Sequence, residues 1–196
     1  MNQRIATIDR RTRETAISLT LNLDGRGRLK GSSTIPFVDH MFDALARHGH
    51  FDIALKAKGD TQVDDHHLTE DLGIALGEAI AKALGNKKGI ARYGNFLVPM
   101  DEALSYVAID LCNRPYFVCK VKWAHAKIGR FDGLLIEHFF ESVAMSARMN
   151  LHMAVKYGKQ PHHIAESLFK GFARALAQAV AIDPRVKGIP STKGKL

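Results

Sequence analysis

A chain of 196 residues with 46% apolar and 24% charged side chains has an ordinary globular composition and room for one sizeable core. Its 28 basic and 20 acidic residues leave a net charge of +8, yet no basic run interleaves with aromatics, so a phosphorylated small molecule is expected as the anionic partner and nucleic acid is not. No apolar run approaches the roughly 20 residues that span a bilayer, the N-terminal stretch lacks a signal-peptide core, and Cys112 and Cys119 have no CxxC spacing, so a cytoplasmic protein without membrane or disulfide is expected.

ETAISLTLNL (14–23) alternates apolar and polar side chains, as a strand with one buried face does. VDHMFDALARHGHFDIAL (38–55) carries a short helix pattern that runs into alternation at Phe51, Ile53 and Leu55. After Asp64 and Asp65, which can cap a helix start, Leu68, Leu72, Leu76, Ile80 and Leu84 recur along one helix face, and Gly85 is the stop. SYVAIDL (105–111) and PYFVCKVKW (115–123) read as strands. IEHFFESVAMSARMNLHM (136–153) is again a short helix leading into a strand. Pro161 suits a first turn, and Ile164, Leu168, Phe172, Leu176 and Val180 mark a second long helix ending before Asp183-Pro184. KGIPSTKGKL is a polar tail.

The second half repeats the first. DDHHLTEDLG (64–73) and QPHHIAESLF (160–169) set His66 against His162 and Glu70 against Glu166 at one offset, while His40 and Asp43 fall on His138 and Glu141. The predicted fold is α/β of the α+β type. Two duplicated half-domains, each with a roughly four-stranded sheet and two helices, are related by a pseudo-twofold with the helices packed between the sheets. The whole chain, 1–196, is read as one catalytic domain, with repeats at 1–88 and 89–190 and a tail at 188–196.

A duplicated structural histidine pair is the plain alternative to a ligand role. Two imidazoles and a carboxylate at a helix start make poor core material, however, so metal binding is expected. Residues i and i+4 share a helix face, so His66 with Glu70, and His162 with Glu166, can each chelate one ion. Residue i+1 is turned by about 100°, which sends His67 and His163 to a different ion. Two ions would also recruit His40 and His138. This donor set suits Mn²⁺, with Zn²⁺ and Fe²⁺ as alternatives. His48, two turns past His40, can reach the same site or serve as a polar helix end. His50, His125 and His152 do not repeat and are expected to be structural or surface residues.

FVDHMFDALARHGHFD, DDHHLTEDLG, ARYGNFLVPMDEAL, HFFESVAMSARMNLH, HHIAESLFKGFARAL and IPSTKG closely resemble the imidazoleglycerol-phosphate dehydratases of histidine biosynthesis. The likeness runs in the family's order from about Arg11 to Gly194. The chain is too short to include the phosphatase fused to this enzyme in some bacteria, so a monofunctional protein is expected. The resemblance implies dehydration of imidazole glycerol phosphate to imidazole acetol phosphate with two Mn²⁺ per subunit. One ion falls to His40, His67, His162 and Glu166, the other to His66, Glu70, His138 and His163, which agrees with the helix partition. An imidazole ring bridging two such ions would set them about 6 Å apart, with metal–nitrogen bonds of about 2.1 Å.

The resemblance makes Glu14 the candidate for proton transfer or hydroxyl positioning and Arg92 and Arg114 the phosphate-binding arginines. Ser191, Thr192 and Lys193 close over the phosphate from the tail. The candidate catalytic residues are Glu14, His48, Glu70 and Glu166, and His40, His48, His66 and His162 join Glu14 among the expected substrate contacts. The resemblance also implies a hollow homo-oligomer, in which trimers assemble into a shell of about 24 subunits. Active sites then form between subunits, with ligands from more than one chain. Departures are small: Leu68 stands where Thr often follows the histidine pair, and Ser167 where Ala is frequent. Competing readings are a Zn²⁺ or di-iron hydrolase, which lacks its HExxH or paired ExxH motif here, and a metal-responsive nucleic-acid binder using the basic charge.

Overall fold

Buried and half-exposed residues alternate without a break along Thr15–Asn22 and Ala103–Asp110, so each strand turns one face to a core and one outward. In the computed structural model, which describes residues 4–123 and 126–196, these are the second strands of two four-stranded sheets. His125 lies outside the described residues. The first sheet comprises β1 (Ile5–Arg11), β2 (Thr15–Asn22), β3 (Arg28–Ser32) and β4 (Asp52–Gly59), in the order β1-β2-β4-β3. The second comprises β5 (Tyr93–Met100), β6 (Ala103–Asp110), β7 (Tyr116–Lys120) and, after a small β8–β9 hairpin (Lys127–Ile128 and Phe131–Asp132), β10 (Asn150–Tyr157). Its order is β5-β6-β10-β7. β3–β4 and β7–β10 are parallel, and the other neighbours in both sheets are antiparallel.

Helices α1 (Pro36–Gly49) and α2 (His66–Leu84) belong to the first half, α3 (Leu135–Ala147) and α4 (Pro161–Val180) to the second. α2 packs on β1 and β2, α4 packs on β5 and β6, and the halves meet helix to helix, α2 on α3 and α1 on α4. The helices therefore form a layer between the sheets. Phe42, Phe139, Phe140, Phe169 and Phe172 link three of them there, with ring centroids 4.6 to 5.9 Å apart. Asp71, buried on the sheet side of α2, accepts from Arg10 Nε at 2.7 Å and from the Thr15 hydroxyl, which fixes α2 against the first sheet. No helix among the described residues is long and apolar enough to cross a membrane.

Both long helices fall where the spacing predicts them. Of the two aspartates expected to cap the start of α2, Asp64 accepts the His66 N–H at 2.8 Å, while Asp65, at the N-cap, makes no side-chain capping bond. The edge strands β1, β3 and β5 have no clean alternation to read, because only one buried side marks β1 and none marks β3. β5 contains Pro99, tolerated because an edge strand has a side that pairs with nothing. β7 stops at Lys120, short of the predicted Trp123.

Two glycines set how closely α2 and α3 approach. A Cβ on Gly73 would lie 2.6 Å from the Phe139 carbonyl oxygen, and one on Gly77 would lie 2.6 Å from that of Val143. A helix carbonyl cannot swing aside as a side-chain tip can. Alanine at Gly73 gains about 1 kcal/mol of helix propensity but incurs an overpacking cost of about 1–3 kcal/mol, so the clash should win. Gly73→Ala should lower the urea midpoint and Gly73→Val should lower it further; an unchanged midpoint for both would show that the helices separate freely.

Candidate metal centres

Because α1 meets α4 and α2 meets α3, two groups of donors assemble at the seam between the halves. His40 of α1 faces His162 and Glu166 of α4: the two imidazole Nε2 atoms stand 3.4 and 3.2 Å from Glu166 Oε2. His66 and Glu70 of α2 face His138 of α3, with Glu70 Oε2 3.9 Å from His66 Nε2 and Glu70 Oε1 3.6 Å from His138 Nε2. In each group the donor atoms lie within 4.8 Å of one another. Both sets are two imidazole Nε2 atoms and one carboxylate oxygen. The i, i+4 pairs come together on one helix face as the helix geometry predicts, and each group takes its third member from the other half.

The fit to a divalent ion rests on these atoms. His138 Nε2 is buried and has no hydrogen-bond partner among the described residues, so the ring presents an unsatisfied nitrogen to its own cluster, 3.6 Å from Glu70 Oε1. Glu166 is buried. Burial alone would raise its carboxyl, but the Lys170 ammonium 2.7 Å away, with His40, outweighs burial and holds it below its ordinary value, so it stays ionised. Glu70 is more exposed and has no lysine beside it among the described residues. Mixed imidazole and carboxylate donors with open positions suit Mn²⁺, Fe²⁺ or Zn²⁺.

His67 and His163 do not join these groups within the chain. Each turns its Nδ1 to a carboxylate: His67 to Asp60 at 3.0 Å, and His163 to Glu102 at 2.6 Å. These bonds raise both imidazoles above their ordinary value. Glu102 is held down to about 2 by His163 and by the backbone N–H groups of Gln160 and Lys159, which it also accepts. With Nδ1–H so engaged, Nε2 is the nitrogen left for a ligand. Glu14 is exposed beside His67, with Oε2 3.9 Å from Nδ1. The orienting carboxylates Asp60 and Glu102 were not among the sequence candidates. The signal for Glu102 was present, since it directly precedes β6 as Glu14 precedes β2.

The other candidates divide. His48, half-buried in the last turn of α1, is lowered by burial and by the Lys170 and Arg174 charges. Arg114 and Lys193 line one open pocket of about 560 Å³, whereas Arg92, Ser191 and Thr192 do not line it. The nearly buried Arg92 donates from Nε and Nη2 to Asp110, at 2.7 and 3.1 Å, and from Nη1 to the Pro190 carbonyl at 2.8 Å. It is thus engaged in holding the tail, while the resemblance implies a phosphate-binding role for it. Ser191 and Lys193 are joined by a turn, Lys193 N to Ser191 Oγ at 3.2 Å.

Two paired donor sets on a duplicated α/β scaffold define a protein whose helix layer offers two places with donors suited to a divalent cation. Residues 33–176 match the sequence model of imidazoleglycerol-phosphate dehydratases. Among curated relatives, the imidazoleglycerol-phosphate dehydratase of Geobacillus kaustophilus is 55% identical over 193 residues, covering 98% of this chain and 99% of that protein. That of Methylorubrum populi is 54% identical over 194 residues, covering 98% and 100%. The crystal structure of the Staphylococcus aureus enzyme aligns with a TM-score of 0.83 at 32% identity, over 91% of this chain and 99% of that one. The Pyrococcus furiosus enzyme, in complex with (S)-C348, aligns with a TM-score of 0.83 at 34% identity, over 96% and 100%. The chain belongs to the imidazoleglycerol-phosphate dehydratase family, the hydro-lyases of histidine biosynthesis.

A divalent ion at His67 or His163 must displace the Nε2 proton that the carboxylate partner helps retain. Ion affinity should therefore fall as pH drops through the raised values of these histidines, and binding should release protons. Calorimetric titration in buffers of different ionisation enthalpy measures the release; no buffer dependence would remove these imidazoles from the ligand set.

Proposed function

We propose that this chain converts D-erythro-imidazole glycerol phosphate to imidazole acetol phosphate and water, using two Mn²⁺ per subunit. The observation that carries the reading is the matched pair of donor groups, each of two imidazoles and a carboxylate, with His67 and His163 facing elsewhere. Six imidazoles and two carboxylates divide evenly between two ions if the outward pair reaches groups on neighbouring subunits. That division supports His40, His67, His162 and Glu166 as one ligand set and His66, Glu70, His138 and His163 as the other, completed within the homo-oligomeric shell of trimers. Ions held by these residues would supply Lewis acidity at the substrate's imidazole ring, stabilising negative charge that develops on it.

The chain's own residues perform the rest. Loss of the hydroxyl beside the ring and of the proton on the next carbon gives an enol, which becomes the ketone. Glu14 suits that proton. Its carboxylate is exposed, and Asp60 has taken the neighbouring His67 Nδ1–H, so Glu14 is free to accept from substrate. His48, kept neutral by burial and by adjacent cations, offers a second proton acceptor beside Lys170. Arg114 and Lys193 bind the phosphate, while Arg92 positions the tail carrying Ser191, Thr192 and Lys193. The enzyme acts in the cytoplasm, where Cys112 and Cys119 remain free thiols.

Purified protein loaded with Mn²⁺ should turn imidazole glycerol phosphate into an enolisable ketone; no turnover with any divalent ion would defeat the reading. Glu14→Gln should lower kcat by about 10²–10⁴-fold at unchanged Mn²⁺ content. Arg114→Met should act on KM instead, and an unchanged KM would take Arg114 out of the site.

A further inference from the structure

Arg148 occupies the C-cap of α3 with φ 55° and ψ 48°, the left-handed conformation that glycine adopts most easily. A β-carbon there strains the backbone, a cost borne at seven non-glycine positions among the described residues. The side chain is exposed and reaches over the loop between β6 and β7, with Nη2 3.4 Å from the Asn113 carbonyl. There it lines the same pocket of about 560 Å³ as Arg114, Lys193 and Lys195. Four cationic side chains thus surround one opening, no acidic side chain among the described residues lines it, and the single carboxylate there is the main-chain terminus of Leu196. Close by, Lys87 is buried, donating to Asn113 Oδ1 at 2.7 Å and to the Leu111 carbonyl at 3.2 Å, so a further positive charge lies behind the wall. The nearby carboxylate of Asp110 is already paired with Arg92 on both oxygens. Four like charges against one terminal carboxylate still repel one another, and a doubly charged anion in their midst relieves the repulsion.

We propose that Arg148 is a further phosphate-binding residue, gripping the phosphate jointly with Arg114 and Lys193. The proposal rests on the dehydratase reading for the identity of the ligand, but not for the existence of the anion site. His50, the repeat counterpart of Arg148, has the same left-handed backbone (φ 57°) at the end of α1, so the conformation is inherited from the duplication and the guanidinium is particular to the second half. A planar fork can take two phosphate oxygens at once, which a lysine cannot.

The test uses Arg148→Gly, which relieves the backbone strain and so should fold at least as stably as the wild type. Assembled, Mn²⁺-loaded protein is titrated with inorganic phosphate by calorimetry and assayed with imidazole glycerol phosphate. Arg148→Gly should weaken phosphate binding and raise KM, each by about five- to tenfold, with kcat and thermal midpoint not reduced. Arg148→Lys, which keeps the charge without the fork, should fall between. Unchanged phosphate affinity in Arg148→Gly overturns the proposal, as does a loss of kcat and thermal midpoint together, which would make Arg148 a structural residue. A wild type that binds phosphate but turns over no substrate defeats the reaction proposed above, while the phosphate titration still decides the role of Arg148.

Discussion

The contact between helices of opposite halves is the constraint on which the rest depends. Neither of the two seam groups is complete within one half: His40 needs α4, and His138 needs α2. The absence of side chains at Gly73 and Gly77 allows α2 to lie directly on the α3 backbone. One turn before Gly73, that approach brings Glu70 within 3.6 Å of His138. The aromatic side chains of α1, α3 and α4 hold the layer from the inside, and Asp71 ties α2 outward to its sheet. Burial of apolar surface thus determines where the polar groups stand. A shift of one helix by a fraction of a turn would separate donors that are now a few ångströms apart.

Electrostatics then distinguishes the two groups. Glu166 is buried and paired with Lys170, whereas Glu70 is half-exposed and faces only imidazoles among the described residues. Position 74, the repeat counterpart of Lys170, is Ile74, so the sequence itself removes the lysine from the second group. The approximate dyad therefore relates two sites of the same donor chemistry but different charge, with the more basic one also nearer His48 and Arg174.

Much of this was legible in the sequence because it obeys short-range rules. The four-residue rhythm of Leu68 to Leu84 and of Ile164 to Val180 marks both long helices, and i, i+4 geometry pairs His66 with Glu70 and His162 with Glu166 before any tertiary contact is known. The strands Thr15–Asn22 and Ala103–Asp110 show themselves because each has one fully buried face. The edge strands β1, β3 and β5 do not, since few of their side chains reach the core. The occupation of Arg92 by Asp110 and Pro190 was equally hidden, because it joins positions far apart in the chain. So were the partners of His67 and His163, where a carboxylate from a different loop decides which nitrogen is left outward.

Glu14 and Glu102 stand at equivalent places, each one residue before a strand whose inner face is buried. Glu102 has both oxygens engaged, one by the backbone at the start of α4 and one by His163. The Glu14 carboxylate makes no hydrogen bond among the described residues, since Asp60 does for His67 what Glu102 does for His163. Copying a half-domain thus produced twin acids, and a substitute brace on one side released its twin from structural duty. A molecule nearly symmetric in its framework can in this way treat the two ends of an unsymmetrical guest differently.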